Sequence, residues 1–219
     1  MKNRKKAIIS DWDDTKVSTF RTCIKLYADF ANRYSLRIPS SIEIVSHWGK
    51  PIDTITQSLW PDTDYADLKS NFWNYAKTTK FIVKPFPGVN ESIITLKEKG
   101  FMLGIVSSSS TKIILETITK FCTFSPDIYA FIQTSDDIPF HKPNPKVFDL
   151  PIKYMQKKGI SVQETIYVGD SINDYFAARD SGIDFYGVTT GFTISEDFLS
   201  AGLARDHILP TFNKFAELF

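Results

Sequence analysis

Cysteine is scarce in this sequence. Cys23 and Cys122 are the only two in 219 residues, and neither stands in a CxxC or CxH arrangement. Nothing here suggests a disulfide framework or a thiolate metal site, and the expectation is reduced thiols in a cytoplasmic protein. An excess of charge of one sign is also missing: 26 basic residues face 25 acidic ones, for a formal net charge of +1. That balance gives no reason to expect nucleic acid or an anionic membrane as partner. Long apolar runs are absent too. Behind the basic start Lys2-Asn3-Arg4-Lys5-Lys6 only Ala7, Ile8 and Ile9 are apolar, far short of a signal-peptide core or a spanning helix, so the start reads as a solvated leader. There is no internal repeat, and no low-complexity segment beyond four consecutive serines at 107–110. What remains is ordinary for a soluble globular chain, 42% hydrophobic and 23% charged. Its length suits one large domain or a domain with a smaller insert. A monomer is the default expectation.

The most informative stretch is Ala7-Ile8-Ile9-Ser10-Asp11-Trp12-Asp13-Asp14-Thr15. Its apolar run reads as a buried strand and leads directly into three carboxylates within four residues, which a packed core does not tolerate unpaired. Side chains two apart point to the same side of an extended chain, so Asp11 and Asp13 are placed to address one small ligand.

Residues 20–34 carry Ile24, Leu26, Tyr27, Phe30 and Ala31 at helical spacing. Shorter helices are expected over 42–48 and 52–59, separated by Gly49-Lys50-Pro51, and another over 65–79, with Leu68, Phe72, Trp73 and Ala76 on one face. Beyond Pro85-Phe86-Pro87-Gly88 strand and helix alternate: helix 89–99, strand 101–106, helix 111–120, strand 128–133, a helix from Asn144-Pro145 split or kinked by Pro151, strand 165–168, helix 174–181 and a last strand at 185–188. Two short helices finish the chain. The pattern predicts an α/β fold: a Rossmann-like parallel sheet flanked by helices, made of residues 1–16 and 85–219, with an inserted α-helical domain at 17–84.

Ligands of such sheets bind beyond the C-terminal ends of the strands. Asp11, Ser107 and Asp170 each directly follow an apolar strand, so three strands bring polar groups to one edge, and the helical insert is positioned in sequence to serve as a cap. Asp11, Asp13, Asp170 and Asp174 gathered at one point would repel one another and demand a cation. Oxygen ligands without histidine or thiolate favour Mg²⁺, which commonly keeps a substrate phosphate in its shell.

These residues resemble a known family. Asp11-Trp12-Asp13-Asp14-Thr15 is similar to the DxDxT motif of the haloacid dehalogenase superfamily. Ser107 resembles its second motif, Lys142 in His141-Lys142-Pro143-Asn144-Pro145 its third, and Gly169-Asp170-Ser171-Ile172-Asn173-Asp174 its fourth, GDSxxD, in the family's order. The insert lies where members with a helical cap carry theirs, such as phosphoglycolate phosphatases and β-phosphoglucomutases. The resemblance implies a Mg²⁺-dependent phosphatase acting on a small phosphorylated metabolite. Asp11 would be the nucleophile that forms an aspartyl-phosphate, and Asp13 the acid and base. Ser107, Ser108 and Lys142 would bind the phosphoryl group. Asp11, the backbone carbonyl of Asp13, and Asp170 would hold the metal, with Asp174 supporting that shell through water. His47, Trp48 and Lys50 lie where similar enzymes place a specificity loop, and Lys50 is a candidate substrate contact.

Two residues depart from the family pattern: Asp14 stands where glycine is common, and His141 where a small residue is usual. An acid at position 13 suits phosphoester chemistry, because an alkoxide leaving group needs a proton, whereas dehalogenase-like members lack that acid. The alternatives are a β-phosphoglucomutase-like phosphomutase, which usually presents a basic or histidine residue near where Cys23 falls, and a phosphate-binding regulatory module that has lost turnover. A receiver-like domain also gathers aspartates at strand ends but has no use for so large a helical insert.

Overall fold

The computed structural model describes residues 4–47, 52–79 and 83–219. The chain forms two compact units, one from Met1–Ser18 with Lys84–Phe219, the other from Thr19–Val83.

The first unit is built on six strands: β1 (Ala7–Ser10), β2 (Met102–Val106), β3 (Phe131–Gln133), β4 (Thr165–Gly169), β5 (Asp184–Val188) and β6 (Ile208–Leu209). They pair in the order β3-β2-β1-β4-β5-β6, every pair parallel. Both β1 and β4 are buried along their whole length, as expected for central strands covered on both faces. From β1 the chain moves outward to β2 and β3, then returns across β1 to β4, so the sheet has its topological switch point between β1 and β4. Ser10 is level with Ile105 of β2 and Val168 of β4. That register sets Asp11, Ser107 and Asp170 side by side just past three adjacent strand ends.

Several expected elements shift. The strand expected over 128–133 is only Phe131–Gln133, because Pro126–Ile128 forms a 3₁₀ turn with proline in its first turn. Pro145–Phe148 is 3₁₀, and an α-helix continues as Asp149–Lys157, with Pro151 in its first turn where the missing N–H costs nothing. The helix expected from 174 begins at Ile172 because Ser171 is its N-cap. β6 was not anticipated; two residues carry no readable periodicity.

One side of the sheet packs Val147, Phe148, Met155, Tyr167, Ala177, Phe185 and Phe198 into a continuous core. Lys16 is also fully buried, at 1% exposure. Its ammonium lies among the rings of Trp12, Tyr129 and Phe212, at 5.7, 4.5 and 5.4 Å from their centroids, and donates to Tyr129 Oη at 3.1 Å. Burial pushes the Lys16 pKa down to about 7, against the opposing pull of Asp11 and Cys122.

Described on its own, the second unit is helical: Phe20–Arg33, Ser41–His47, Ile52–Leu59 and Tyr65–Thr78. Its core is aromatic. Phe30 is fully buried, with ring centroids of Phe72 at 5.1 Å and Trp60 at 5.4 Å, and such burial is worth roughly 1.5–3 kcal/mol for one phenylalanine. Among the described residues no helix is long and apolar enough to cross a membrane.

Candidate active site

The turn after β1 is tight. Asp11 N–H donates to Val168 O at 2.8 Å, which holds the residue against β4. Asp14 N–H donates to Val17 O at 2.7 Å and Lys16 N–H to Trp12 O at 2.9 Å. This geometry requires a left-handed backbone at Asp14, with φ of 51°. Aspartate is among the few non-glycine residues that adopt it readily, which is how the turn survives without the family's glycine.

Lys142 is the electrostatic hub. Its Nζ lies 2.9 Å from Asp11 Oδ1 and 2.6 Å from Asp174 Oδ1, and it donates to Tyr167 Oη at 3.0 Å. Tyr167 Oη in turn donates to Asp174 Oδ1 at 2.7 Å and lies 3.3 Å from Val106 O. The other oxygen of Asp174 accepts from Ser171 N–H at 3.1 Å and from its hydroxyl at 2.5 Å, closing a capping box at the start of the helix Ile172–Asp180. Both Asp174 oxygens are therefore engaged by protein groups, and its main visible work is to anchor Lys142. Asp170 accepts from Thr15 Oγ1 at 3.0 Å. Two glycines make room for these acids: a Cβ at Gly191 would lie 2.1 Å from Asp170 Oδ2, and one at Gly169 would lie 2.5 Å from Asp174 Cβ.

Asp11, Asp170 and Asp174 are buried, and each brings one carboxylate oxygen within 4.8 Å of the others. Burial pushes the Asp11 carboxyl up to about 7; Lys142 opposes this, while the charges of Asp174 and Asp13 add to it. Asp170 is driven well above the carboxylate range by burial, and then by the charges of Asp174, Asp11 and Asp14. Burial alone would lower Lys142, but the charges and hydrogen bonds of Asp11 and Asp174 outweigh it and hold the ammonium above the ordinary lysine range. One lysine does not neutralise three buried acids. The arrangement therefore fits a hard cation held by Asp11 and Asp170, with Asp174 beside it.

The Asp13 carboxylate is turned away from that cluster. Its Oδ2 accepts from Ser109 Oγ at 2.5 Å, with Ser107 Oγ at 3.5 Å. Of the four carboxylates expected at one point, the described residues group those of Asp11, Asp170 and Asp174, and the Asp13 side chain bonds serines instead, which leaves its backbone carbonyl as the candidate ligand that the family resemblance implies. Ser107 N–H is tied to Gln133 O at 3.0 Å, and Ser107, Ser108, His141 and Lys142 line one cleft with Gln133 and Thr134. His47 closes the helix Ser41–His47 in the second unit. Trp48 and Lys50 lie outside the described residues. Tyr167, Ser109 and Thr15 were not assigned roles from sequence. Thr15 sits inside the quoted motif, whereas a tyrosine in an apolar strand and one serine among four carry no distinguishing signal.

With this geometry in place, the comparisons with known proteins are specific. A profile of haloacid dehalogenase-like hydrolases matches residues 8–188, most of the chain. The chain belongs to that family. A curated relative, the phosphoglycolate phosphatase of Mannheimia succiniciproducens, is 29% identical over 159 residues, a match covering 72% of this chain and 66% of that protein. In the curated relatives that it matches, the chain spans between about half and 70% of their length. Among solved structures, a "predicted phosphoglycolate phosphatase" of Haemophilus somnus superposes with a TM-score of 0.80 at 23% identity, covering 98% of this chain and 97% of that one. A haloacid dehalogenase-like family hydrolase of Streptococcus pneumoniae gives 0.76 at 19% identity, covering 98% and 99%. At those identities the structures speak for the fold of this haloacid dehalogenase-like chain.

Proposed function

We propose that the protein is a Mg²⁺-dependent phosphatase that hydrolyses a small phosphomonoester through an aspartyl-phosphate on Asp11. The observation that carries this reading is the division of labour after β1. Asp11 is paired with Lys142 beside the acidic cluster, and Asp13, two residues on, faces a separate pair of serines. A nucleophile and a proton-transfer group are thus presented from one turn with different partners, as a two-step displacement needs.

Asp11 attacks phosphorus as a carboxylate. Asp13 gives its proton to the departing alcohol oxygen as the P–O bond breaks, then takes a proton from the water that cleaves the acyl phosphate. Lys142 and the Ser107 hydroxyl hold the transferring oxygens, where stabilising the developing charge is most of the catalytic work. When bound by Asp11, Asp170 and the Asp13 carbonyl, Mg²⁺ supplies positive charge to the phosphoryl oxygens. Asp174 keeps Lys142 in place. To the helical unit Thr19–Val83, inserted in sequence between the first and second motifs, we assign the selection of the substrate.

The curated relative's name makes phosphoglycolate the first substrate to assay. Purified protein with Mg²⁺ should release phosphate from one or more members of a phosphomonoester panel, and both chelator and Asp11→Asn should abolish release. Release indifferent to Asp11→Asn would refute the nucleophile, and binding without release across the panel would favour a regulatory module.

A further inference from the structure

We propose that Ser109 is the positioning residue that fixes the Asp13 carboxylate for proton transfer, an assignment that rests on the phosphatase reading above. Ser109 is held through all three of its polar groups. Its hydroxyl donates to Asp13 Oδ2 at 2.5 Å, its N–H donates to Ser107 Oγ at 3.0 Å, and its carbonyl accepts from Ser135 N–H at 3.1 Å. The loop between β2 and the helix Thr111–Phe121 is thereby stitched to the turn after β1 on one side and to the segment after β3 on the other. The hydroxyl is not serving the helix. The N-cap position belongs to Ser110, whose side chain makes no capping bond, and Ser109 Oγ is directed at Asp13 instead.

The chemistry explains why such a tether matters. The terminal torsion of aspartate is broad and nearly two-fold, so an untethered carboxylate wanders between orientations of similar energy. General acid catalysis needs the carboxyl within hydrogen-bond reach of the leaving oxygen and correctly aimed. In the first step the Asp11 O–P bond forms, the ester P–O bond breaks, and the Asp13 proton passes to the leaving oxygen. In the second step water forms the new O–P bond, its proton passes to Asp13, and Asp11 departs as a carboxylate. Ser109 donates its hydrogen bond throughout and exchanges no proton. The same residue's backbone amide aligns the Ser107 hydroxyl, so one residue sets both the proton donor and a phosphoryl ligand.

The test exploits leaving groups. kcat/KM reports the first step, in which a basic alkoxide needs the Asp13 proton and p-nitrophenolate does not. For Ser109→Ala, kcat/KM on phosphoglycolate should fall by about 10- to 100-fold, a portion of the ~10²–10⁴-fold worth of general acid–base catalysis, and that on p-nitrophenyl phosphate by only about threefold. Ser109→Thr, which keeps the hydroxyl, should recover most of the loss. The alanine variant retains the amide that holds Ser107, and the ratio of the two substrates within one variant is insensitive to any loss of folded protein. Equal losses on both substrates, or no rescue by threonine, overturn the proposal. Asp13→Asn serves as the control. If it shifts the substrate ratio and Ser109→Ala does not, only the Ser109 assignment falls; if neither shifts it, the proton-transfer role of Asp13 falls too, and if the wild-type protein hydrolyses no member of the phosphomonoester panel, the phosphatase reading falls as well.

Discussion

Replacing Lys16 by methionine should stabilise the metal-free protein near neutrality and lose that advantage in alkali. The ammonium is buried among Trp12, Tyr129 and Phe212, and its pKa falls from 10.5 to about 7. At ~1.4 kcal/mol per pKa unit, that displacement corresponds to about 5 kcal/mol of unfavourable burial at pH 6, where both the folded and unfolded states bind the proton. Between pH 7 and 10.5 the unfolded chain holds the proton and the folded protein does not. The wild-type stability contributed by this residue therefore rises with pH through that window, and by pH 9.5 only about 1 kcal/mol of the cost remains. Methionine has similar length and no charge, but it leaves Tyr129 Oη without its lysine partner, a loss of about 1–3 kcal/mol. The net expectation is a gain of about 2–4 kcal/mol at pH 6 and a difference near zero or slightly negative at pH 9.5. The other charged or titratable groups facing Lys16 are Asp11 and Cys122; burial pushes the Cys122 thiol up to about 11, so it stays neutral over the range. Guanidinium unfolding of both proteins in chelator at the two pH values measures the difference. A difference independent of pH, or a methionine variant less stable at pH 6, would refute the reasoning.

Two further substitutions probe the acid cluster. Tyr167→Phe removes the hydroxyl shared by Lys142, Asp174 and Val106 O while leaving the Lys142–Asp174 contact of 2.6 Å; stability should fall by about 1–3 kcal/mol in denaturant unfolding, and kcat should fall more than KM rises because Lys142 is less firmly held. Asp14→Asn keeps a residue that tolerates the left-handed turn but removes a charge that helps raise the Asp170 carboxyl, so in the metal-free protein the Asp170 pKa should fall; an unchanged or higher value in an NMR titration of the carboxylates would refute the repulsion.

Much of the site was legible because its positions are marked by breaks in pattern. The apolar run ending at Ser10 and the one ending at Gly169 each stop at an aspartate, and a strand that stops at an acid announces an edge. Tyr167 gave no such signal. In β4 its ring is one more apolar surface, and only the side chains brought to its hydroxyl distinguish it from a packing tyrosine. Asp174 was legible as an acid at a helix start, but its partners were not: the capping box with Ser171 is local, whereas the bond to Lys142 spans 32 residues.

What the sequence determined by itself is therefore what neighbours along the chain encode: strand and helix periods, the acids at strand ends, the order of four motifs and the place of the helical insert. What only the tertiary structure decided is which distant groups share a hydrogen bond or a cage. Ser109 was one serine of four until the sheet register brought it to Asp13, 96 residues away. Nothing along the chain marked Lys16, and only the fold closes Tyr129 and Phe212 over it. The reason is physical: a carboxylate or an ammonium is specified by its residue type, but its energy is set by burial and by partners that sequence spacing does not reveal.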